Sequence, residues 1–229
     1  MSDCRSFVIL ALLLLLVIYG IRSKTVENFM NMKPTEKQTI YRNILERTNM
    51  ALDALNVPFF LSSGTCLGYV RERDFIDHDY DIDIGIHSKD YTPKIIDEMN
   101  KQGLYLYRVL GSYQKGLELS FYLPNVPAQR RAKIDIFVHN DNGSKTCWYS
   151  YNWNKTKKLQ YCVSSFDTEE VDFLGLKVNI PSPSIQYLEE HYGKDWRIPK
   201  GSGVLGDYNY SSSPLSLVNN FQDDGEFWY

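Results

Sequence analysis

The sequence predicts an α+β domain behind an apolar N-terminal segment. The first observation is that stretches of helical periodicity and of strand alternation follow one another in mixed order. The second is that the chain of 229 residues is 43% hydrophobic and 23% charged, which suits one globular domain with a proper core. The net charge of −3, without a basic stripe, argues against a nucleic-acid partner.

The apolar segment, residues 1–24, is a signal anchor or a cleaved signal peptide. Ser6 to Ile21 carries no charge and is dominated by Leu, Ile and Val. A helix of that length spans roughly 24 Å, short of the roughly 30 Å hydrocarbon core, so it suits a thin early-secretory membrane. The run is long for a signal peptide and lacks a small-residue cleavage site, which favours the anchor. Residues 25–34 then form a short stem.

Three glycosylation sequons favour a body that lies in the lumen of the secretory pathway. They begin at Asn142, Asn154 and Asn209. We expect the endoplasmic reticulum or Golgi membrane, with a single pass, or secretion if the N-terminus is cleaved. Cys147 and Cys162 are near enough in sequence to pair in an oxidising lumen, but sequence does not establish that pairing.

The elements follow in order within a catalytic domain, residues 35–200. The tail, residues 201–229, is rich in Gly, Ser and Asn and is predicted to be irregular. The predicted helices are 34–55, a turn at 66–71, 91–103 and 184–192. The predicted strands are 59–62, 79–86, 104–110, 117–123, 133–138, an aromatic strand at 148–153, and a strand or hairpin at 171–180.

Asp79, Asp81 and Asp83 alternate with Tyr80, Ile82 and Ile84 in one predicted strand. Alternate strand residues face the same side, so three carboxylates would crowd one face. Such carboxylates repel one another unless a cation compensates. Asp135 repeats the pattern once, between Ile134 and Ile136, and would complete a cage if the two strands are neighbours. The pattern predicts a site for Mg²⁺ or Mn²⁺, with Asp81, Asp83 and Asp135 as ligands and Asp79 as a further ligand or a supporting group.

Three upstream residues are candidates for binding phosphate. Gly64 lets a backbone approach closely, and Thr65 offers a hydroxyl and an N–H. Arg71 supplies positive charge for a diphosphate. A plain turn at Gly64-Thr65, and an ion pair between Arg71 and a nearby acid, are the alternative interpretations.

Together these motifs resemble the LicD and fukutin-related family of nucleotidyltransferase-fold phosphotransferases. The resemblance spans roughly residues 35–200 and is carried by Leu61–Arg71 (LSSGTCLGYVR), Asp74–Ile76 (DFI), His78–Ile84 (HDYDIDI), Lys133–Phe137 (KIDIF) and Tyr192–Pro199 (YGKDWRIP).

The resemblance implies a mixed sheet flanked by helices, and transfer of a phospho-alcohol from a CDP-linked donor. The alcohol would be of the phosphocholine or ribitol-phosphate type and the acceptor a glycan or glycoprotein. Asp81, Asp83 and Asp135 would be the catalytic carboxylates, with Asp135 or Asp83 as the base. The alternatives are a non-catalytic luminal glycan-binding relative, a Ca²⁺-binding module, and a glycosyltransferase of another fold that uses a D-x-D motif.

Overall fold

A computed structural model describes residues 34–114, 116–126, 132–151, 158–199, 216–217 and 226–228. The predicted anchor and most of the stem lie outside these residues, as do the sequons at Asn154 and Asn209. Within the described ranges, no helix is both long and apolar enough to cross a bilayer.

Four α-helices flank the sheet in the described part of the chain. The first helix buries a stripe that includes Tyr41, Ile44, Leu45 and Leu52, each with 0% exposure. Their spacing of three, four and seven residues is that of one helix face, which is why this segment folds as a helix against the core. The helices are α1 (Pro34–Asp53), α2 (Ser63–Glu72), α3 (Ile95–Lys101) and α4 (Ser184–Tyr192).

The described strands form one mixed sheet. They are β1 (Phe60–Leu61), β2 (Asp81–His87), β3 (Tyr105–Ser112), β4 (Gly116–Tyr122), β5 (Lys133–Asn142), β6 (Lys145–Tyr151), β7 (Lys158–Ser164), β8 (Asp167–Phe173), β9 (Leu176–Ser182), β10 (Ser216–Leu217) and β11 (Glu226–Trp228). The central path runs β10-β7-β6-β5-β2-β1-β9-β8, and β4, β3 and β11 branch from β5. This confirms the predicted mixed sheet flanked by helices.

The centre of the sheet places β2 beside β5. These two strands are parallel, and their register sets Asp83 opposite Asp135. On the other side, β1 is antiparallel to β2 and parallel to β9. The isoleucines of β2 and β5 fill the apolar core with 0% exposure, so the alternate residues of both strands face the opposite side of the sheet.

The structure differs from the predicted elements near the aspartates. Helix α2 begins at Ser63, because the Cys66 N–H already donates to the Ser62 carbonyl at 3.0 Å. Gly64 therefore lies in the first helical turn and not in a loop. Strand β2 begins at Asp81 and not at Asp79, because the Asp79 N–H closes a turn onto the Ile76 carbonyl at 3.1 Å.

Two further differences lie away from the site. Helix α3 is shorter than the predicted 91–103, since Tyr91 follows a 3₁₀ turn at Ser88–Asp90 in an extended conformation and the helix begins only at Ile95. The tail contains two strands where none was predicted. Strand β10 pairs with β7, and β11 pairs with β3. Each forms hydrogen bonds with backbone groups that β7 or β3 would otherwise leave unpaired at the edge of the sheet.

Candidate active site

The first turn of α2 is fixed to β2 by two hydrogen bonds around Asp83. The Gly64 N–H donates to Asp83 Oδ2 at 3.1 Å. The Asp83 N–H donates in turn to Thr65 Oγ1 at 2.7 Å. A helix N-terminus carries unpaired N–H groups and partial positive charge, so this turn is suited to hold a carboxylate. Asp83 thus has a fixed position between a strand and a helix.

Three carboxylates converge at the start of β2 and β5. Asp81 and Asp83 come from β2, and Asp135 comes from the neighbouring β5. One oxygen of each lies within 4.8 Å of the others. Asp83 and Asp135 are 3% and 4% exposed, so water compensates little of their charge. The structure therefore brings together the three predicted metal ligands.

The pKa values of these groups reflect burial and mutual repulsion. Burial raises the pKa of Asp83 well above its usual value, and the charges of Asp81 and Asp79 raise it further. Burial and the Asp81 charge likewise raise the pKa of Asp79. Burial also acts to raise the pKa of Asp81, but the Lys133 ammonium lowers it overall. A bound cation would relieve this repulsion.

Lys133 is a member of the site that the sequence interpretation missed. Its Nζ lies 2.8 Å from Asp81 Oδ2 and also contacts Asp135 Oδ2. Burial acts to lower the pKa of Lys133, but Asp135 and Asp81 raise it above the usual value, so the side chain stays charged. Its position two residues before Asp135 in the alternating strand was the signal that it shares that face.

A second buried ion pair lies farther along the same face. Arg108 of β3 pairs with Glu118 of β4, and Ser120 of β4 is the register partner of Asp135. Burial raises the pKa of Glu118 to about 7, although Arg108 opposes that shift. Glu118 Oε2 and Ser120 Oγ are buried without a hydrogen-bond partner among the described residues.

The residues fit a divalent cation on two observations. Asp135 Oδ1 is buried and has no hydrogen-bond partner in the described part of the chain. The cluster contains more carboxylates than cations. The cations are Lys133, Arg108 and Lys37 of α1, and the carboxylates are Asp79, Asp81, Asp83, Asp135 and Glu118. A set of carboxylate oxygens is the ligand type that hard divalent ions bind.

The other predicted site residues lie at different distances from this cluster. Gly64 is in close contact with it, since a Cβ there would lie 2.6 Å from Asp79 Oδ2. Thr65 contacts Asp83 through the hydrogen bond described above. Arg71 lies in the last turn of α2, where its guanidinium donates to Glu72 Oε1 at 2.6 Å and to the Trp196 carbonyl at 3.3 Å. Phosphate binding by these residues stays a prediction.

Tyr187 of α4 supports the turn that holds Asp83. Its hydroxyl lies 3.0 Å from Ser62 Oγ and accepts the Ser63 N–H at 3.1 Å. Tyr187 is 2% exposed, and Ser63 has a φ of 41°, a left-handed conformation that is unusual for serine. The sequence interpretation missed Tyr187, because no local pattern shows which distant element a helical tyrosine contacts.

A disulfide joins Cys147 of β6 to Cys162 of β7, which are paired residues of adjacent strands. The sequence left this pairing open, and the structure contains it. Asn142, the one sequon asparagine within the described ranges, is exposed at the end of β5.

Comparison with known proteins places these features in a family context. Residues 56–183 match the family model described as LicD/FKTN/FKRP, nucleotidyltransferase domain. The chain is 34% identical over 180 residues to ribitol-5-phosphate transferase FKTN of Mus musculus, and 35% identical to that of Homo sapiens. Each match covers 78% of this chain and 37% of the relative, so the chain spans a little over a third of their length.

A further relative is an uncharacterised protein of Caenorhabditis elegans, 30% identical over 144 residues. That match covers 58% of this chain and 34% of the relative.

Proposed function

The chain belongs to the LicD/FKTN/FKRP nucleotidyltransferase family, and we propose that it transfers a phospho-alcohol from a CDP-linked donor to a glycan. The observation that carries the proposal is the convergence of Asp81, Asp83 and Asp135, with one oxygen of each within 4.8 Å of the others. The relatives named ribitol-5-phosphate transferase support a ribitol-phosphate donor over the phosphocholine type.

The proposed reaction forms one bond to phosphorus and breaks another. The oxygen of an acceptor hydroxyl attacks the phosphorus that carries the alcohol, and the bond from that phosphorus to CMP breaks. The proton of the hydroxyl passes to a carboxylate, Asp135 or Asp83. A Mg²⁺ or Mn²⁺ ion held by Asp81, Asp83 and Asp135, with Asp79 beside them, would neutralise charge on the diphosphate and on the departing CMP.

The first turn of α2 supports donor binding in this proposal. Gly64 leaves the space beside the carboxylates that a side chain would fill. Thr65 Oγ1 accepts the Asp83 N–H, so its own hydroxyl hydrogen can donate to a phosphate oxygen. Arg71 would add positive charge at the far end of the helix.

The proposed location is the lumen of the endoplasmic reticulum or Golgi. The Cys147–Cys162 disulfide supports an oxidising compartment, and the sequons support contact with the glycosylation machinery. The apolar segment 1–24 would attach the chain to the membrane, and its cleavage would release a secreted form.

A glycosyltransferase of another fold is disfavoured by the topology as well as by the family match. Such an enzyme would carry a parallel β-α-β unit before its D-x-D motif. Here β1 and β2, which flank α2, are antiparallel. The complete set of aspartates argues against a non-catalytic glycan-binding relative. The following experiment tests that alternative.

The test measures thermal stability of the full chain with CDP, CDP-choline and CDP-ribitol, each with and without Mg²⁺ or Mn²⁺. We expect metal-dependent stabilisation by a CDP compound and release of CMP when a glycan acceptor is added. Asp83→Asn should abolish the stabilisation and the release of CMP, because it removes a charged ligand. The variant keeps an oxygen that can accept the Gly64 N–H. Its metal-free melting temperature should equal or exceed that of the wild type, because burial and neighbouring charges disfavour ionised Asp83.

The matched control is Asp97→Asn, which removes an exposed carboxylate on α3. It should behave as the wild type in every assay. A folded chain that binds Mg²⁺ or Mn²⁺ but no CDP compound would refute the transferase, and a preference for Ca²⁺ would point to a calcium-binding module.

A further inference from the structure

Lys133 contacts two of the three carboxylates that would hold the ion. Its Nζ lies 2.8 Å from Asp81 Oδ2 and contacts Asp135 Oδ2 as well. Asp83 is held differently, by the Gly64 N–H. The Lys133 side chain is 12% exposed, so its charge depends on these two anions and little on water. Lys133 therefore acts as an internal cation of the cluster.

An ammonium and a divalent ion compete for the same pair of carboxylates. Both are attracted by the negative charge of Asp81 and Asp135, and they repel each other at the short distances that the cluster imposes. A side chain that neutralises the carboxylates of the metal-free site must therefore weaken the binding of the metal when no donor is present. This effect has a sign that can be measured, since removal of the ammonium would tighten metal binding.

A displaced Lys133 needs another anion close by. It is enclosed by the site, and a buried ammonium without a partner is strongly unfavourable. Its stem of four carbons is flexible and carries a compact charge that suits a phosphate oxygen. In the proposed function, on which this step rests, the donor brings a diphosphate to the same carboxylates.

We propose that Lys133 holds Asp81 and Asp135 together while the site contains no ion, and moves to a phosphate of the donor when ion and donor bind. The two ligands then assist each other. With an ion on Asp81 and Asp135, the Lys133 ammonium would be free to contact the phosphate. With the ammonium on the phosphate, Asp81 and Asp135 would be free to hold the ion. Such coupling is reciprocal, so each ligand must raise the affinity for the other by the same factor.

The experiment measures two affinities in the full chain, with Lys133 replaced by the neutral residues Met and Gln. Mn²⁺ alone is titrated by the electron paramagnetic resonance signal of the free ion. CDP-ribitol is then titrated by calorimetry at saturating Mn²⁺. We expect Mn²⁺ to bind about tenfold more tightly in both variants, and CDP-ribitol to bind about tenfold to hundredfold more weakly.

Three controls keep the test decisive. Lys133→Gln can still donate hydrogen bonds to the carboxylates, so it provides a folded neutral variant if Lys133→Met does not fold. Lys133→Arg keeps the charge and should stay near the wild type in the Mn²⁺ titration. Lys177→Met removes an ammonium from a side chain that is 67% exposed on β9, and should change neither affinity.

Each outcome decides one part of the proposal. Unchanged or weaker Mn²⁺ binding in the neutral variants would overturn the competition. Tighter Mn²⁺ binding with unchanged CDP-ribitol binding would overturn the contact with phosphate. If the wild type binds Mn²⁺ but no CDP compound, the proposed function fails together with the phosphate contact, while the Mn²⁺ titration still decides the competition.

Discussion

At the scale of single residues, hydrogen bonds hold Asp83 in place against its own electrostatic environment. Neighbouring carboxylates and burial both disfavour its charged form. The Gly64 N–H opposes this by donating to the carboxylate. The Thr65 hydroxyl oxygen accepts the backbone N–H of Asp83 and so fixes the position of the residue. The turn that supplies these groups depends on Tyr187, which contacts Ser62 and Ser63 from a helix far along the chain.

Replacement of Tyr187 by Phe should therefore weaken metal binding as well as stability. The variant loses the hydroxyl that accepts the Ser63 N–H, which would then be buried without a partner. We expect the free energy of unfolding to fall by about 1–3 kcal/mol. We also expect Mn²⁺ affinity to fall about tenfold, the lower range for groups that orient metal ligands.

The measurements are urea unfolding and an Mn²⁺ titration at a temperature where the variant is fully folded. Tyr105→Phe, at a tyrosine that is 45% exposed on β3, is the control and should change neither quantity. A Tyr187→Phe protein that loses stability but keeps its full Mn²⁺ affinity would show that the hydroxyl stabilises the turn without positioning the metal ligand.

At the scale of elements, helix α2 lies close to its neighbours because two glycines face them, one turn apart. A Cβ on Gly64 would lie 2.6 Å from Asp79 Oδ2 and 3.3 Å from Asp83 Oδ2. A Cβ on Gly68 would lie 2.5 Å from the Asp74 carbonyl oxygen and 3.2 Å from Ile76 Cγ1. The first glycine therefore faces the carboxylates, and the second faces the loop before β2.

This pair allows stability and metal binding to be separated within one helix. Gly68→Ala should lower the free energy of unfolding by about 1–3 kcal/mol, since its Cβ would press on the backbone carbonyl of Asp74. Gly64→Ala should lower it less, since the Asp79 side chain can rotate away from the new methyl group. Gly64→Ala alone should also weaken the stabilisation by Mg²⁺ or Mn²⁺, because its Cβ would push the Asp79 carboxylate away and press on the Asp83 carboxylate. Thermal unfolding of both variants with and without metal measures this. Equal metal stabilisation in the two would mean that α2 does not position the ligand.

The elements near the site show what local sequence can predict. Alternation of Asp and Ile in β2 and β5 placed the carboxylates and the core residues on opposite faces, and the structure agrees. The same pattern put the start of β2 at Asp79, because alternation continues into a turn whose single hydrogen bond to Ile76 leaves no sequence signal.

At the scale of the whole molecule, the neighbours of each strand depend on contacts between distant parts of the chain. Periodicity assigns a residue to a face but does not identify the adjacent strand. The sequence therefore predicted a cage only on the condition that β2 and β5 are neighbours. For the same reason it missed Lys133 as the partner of Asp81, and it missed the pairing of β11 with β3.

The stability of the whole molecule should depend on a buried histidine of α4. His191 of α4 is 4% exposed, and neither ring nitrogen has a hydrogen-bond partner among the described residues. Four aromatic rings surround it, those of Trp148, Tyr161, Tyr187 and Tyr192. Burial among them lowers the pKa of His191 to about 3.

Replacement of His191 by Phe should make the protein more resistant to acid. Between about pH 6.5 and pH 3 the unfolded chain binds a proton on His191 and the folded chain does not, so the folded state loses stability as the pH falls. Between pH 7 and pH 5 this group accounts for about 2 kcal/mol. Phenylalanine has no such proton, so the variant should gain about that much relative to the wild type over the same interval.

Urea unfolding of the wild type and of His191→Phe at pH 7 and pH 5 gives the free energy of unfolding of each protein. The titration of all other groups cancels when the two proteins are compared. His78→Gln is the control, because it also removes one histidine from the unfolded chain but from a partly exposed site. If the difference between wild type and His191→Phe stays constant from pH 7 to pH 5, His191 takes up its proton in the folded state. The packing of α4 against β6 and β7 must then open to admit water at the ring.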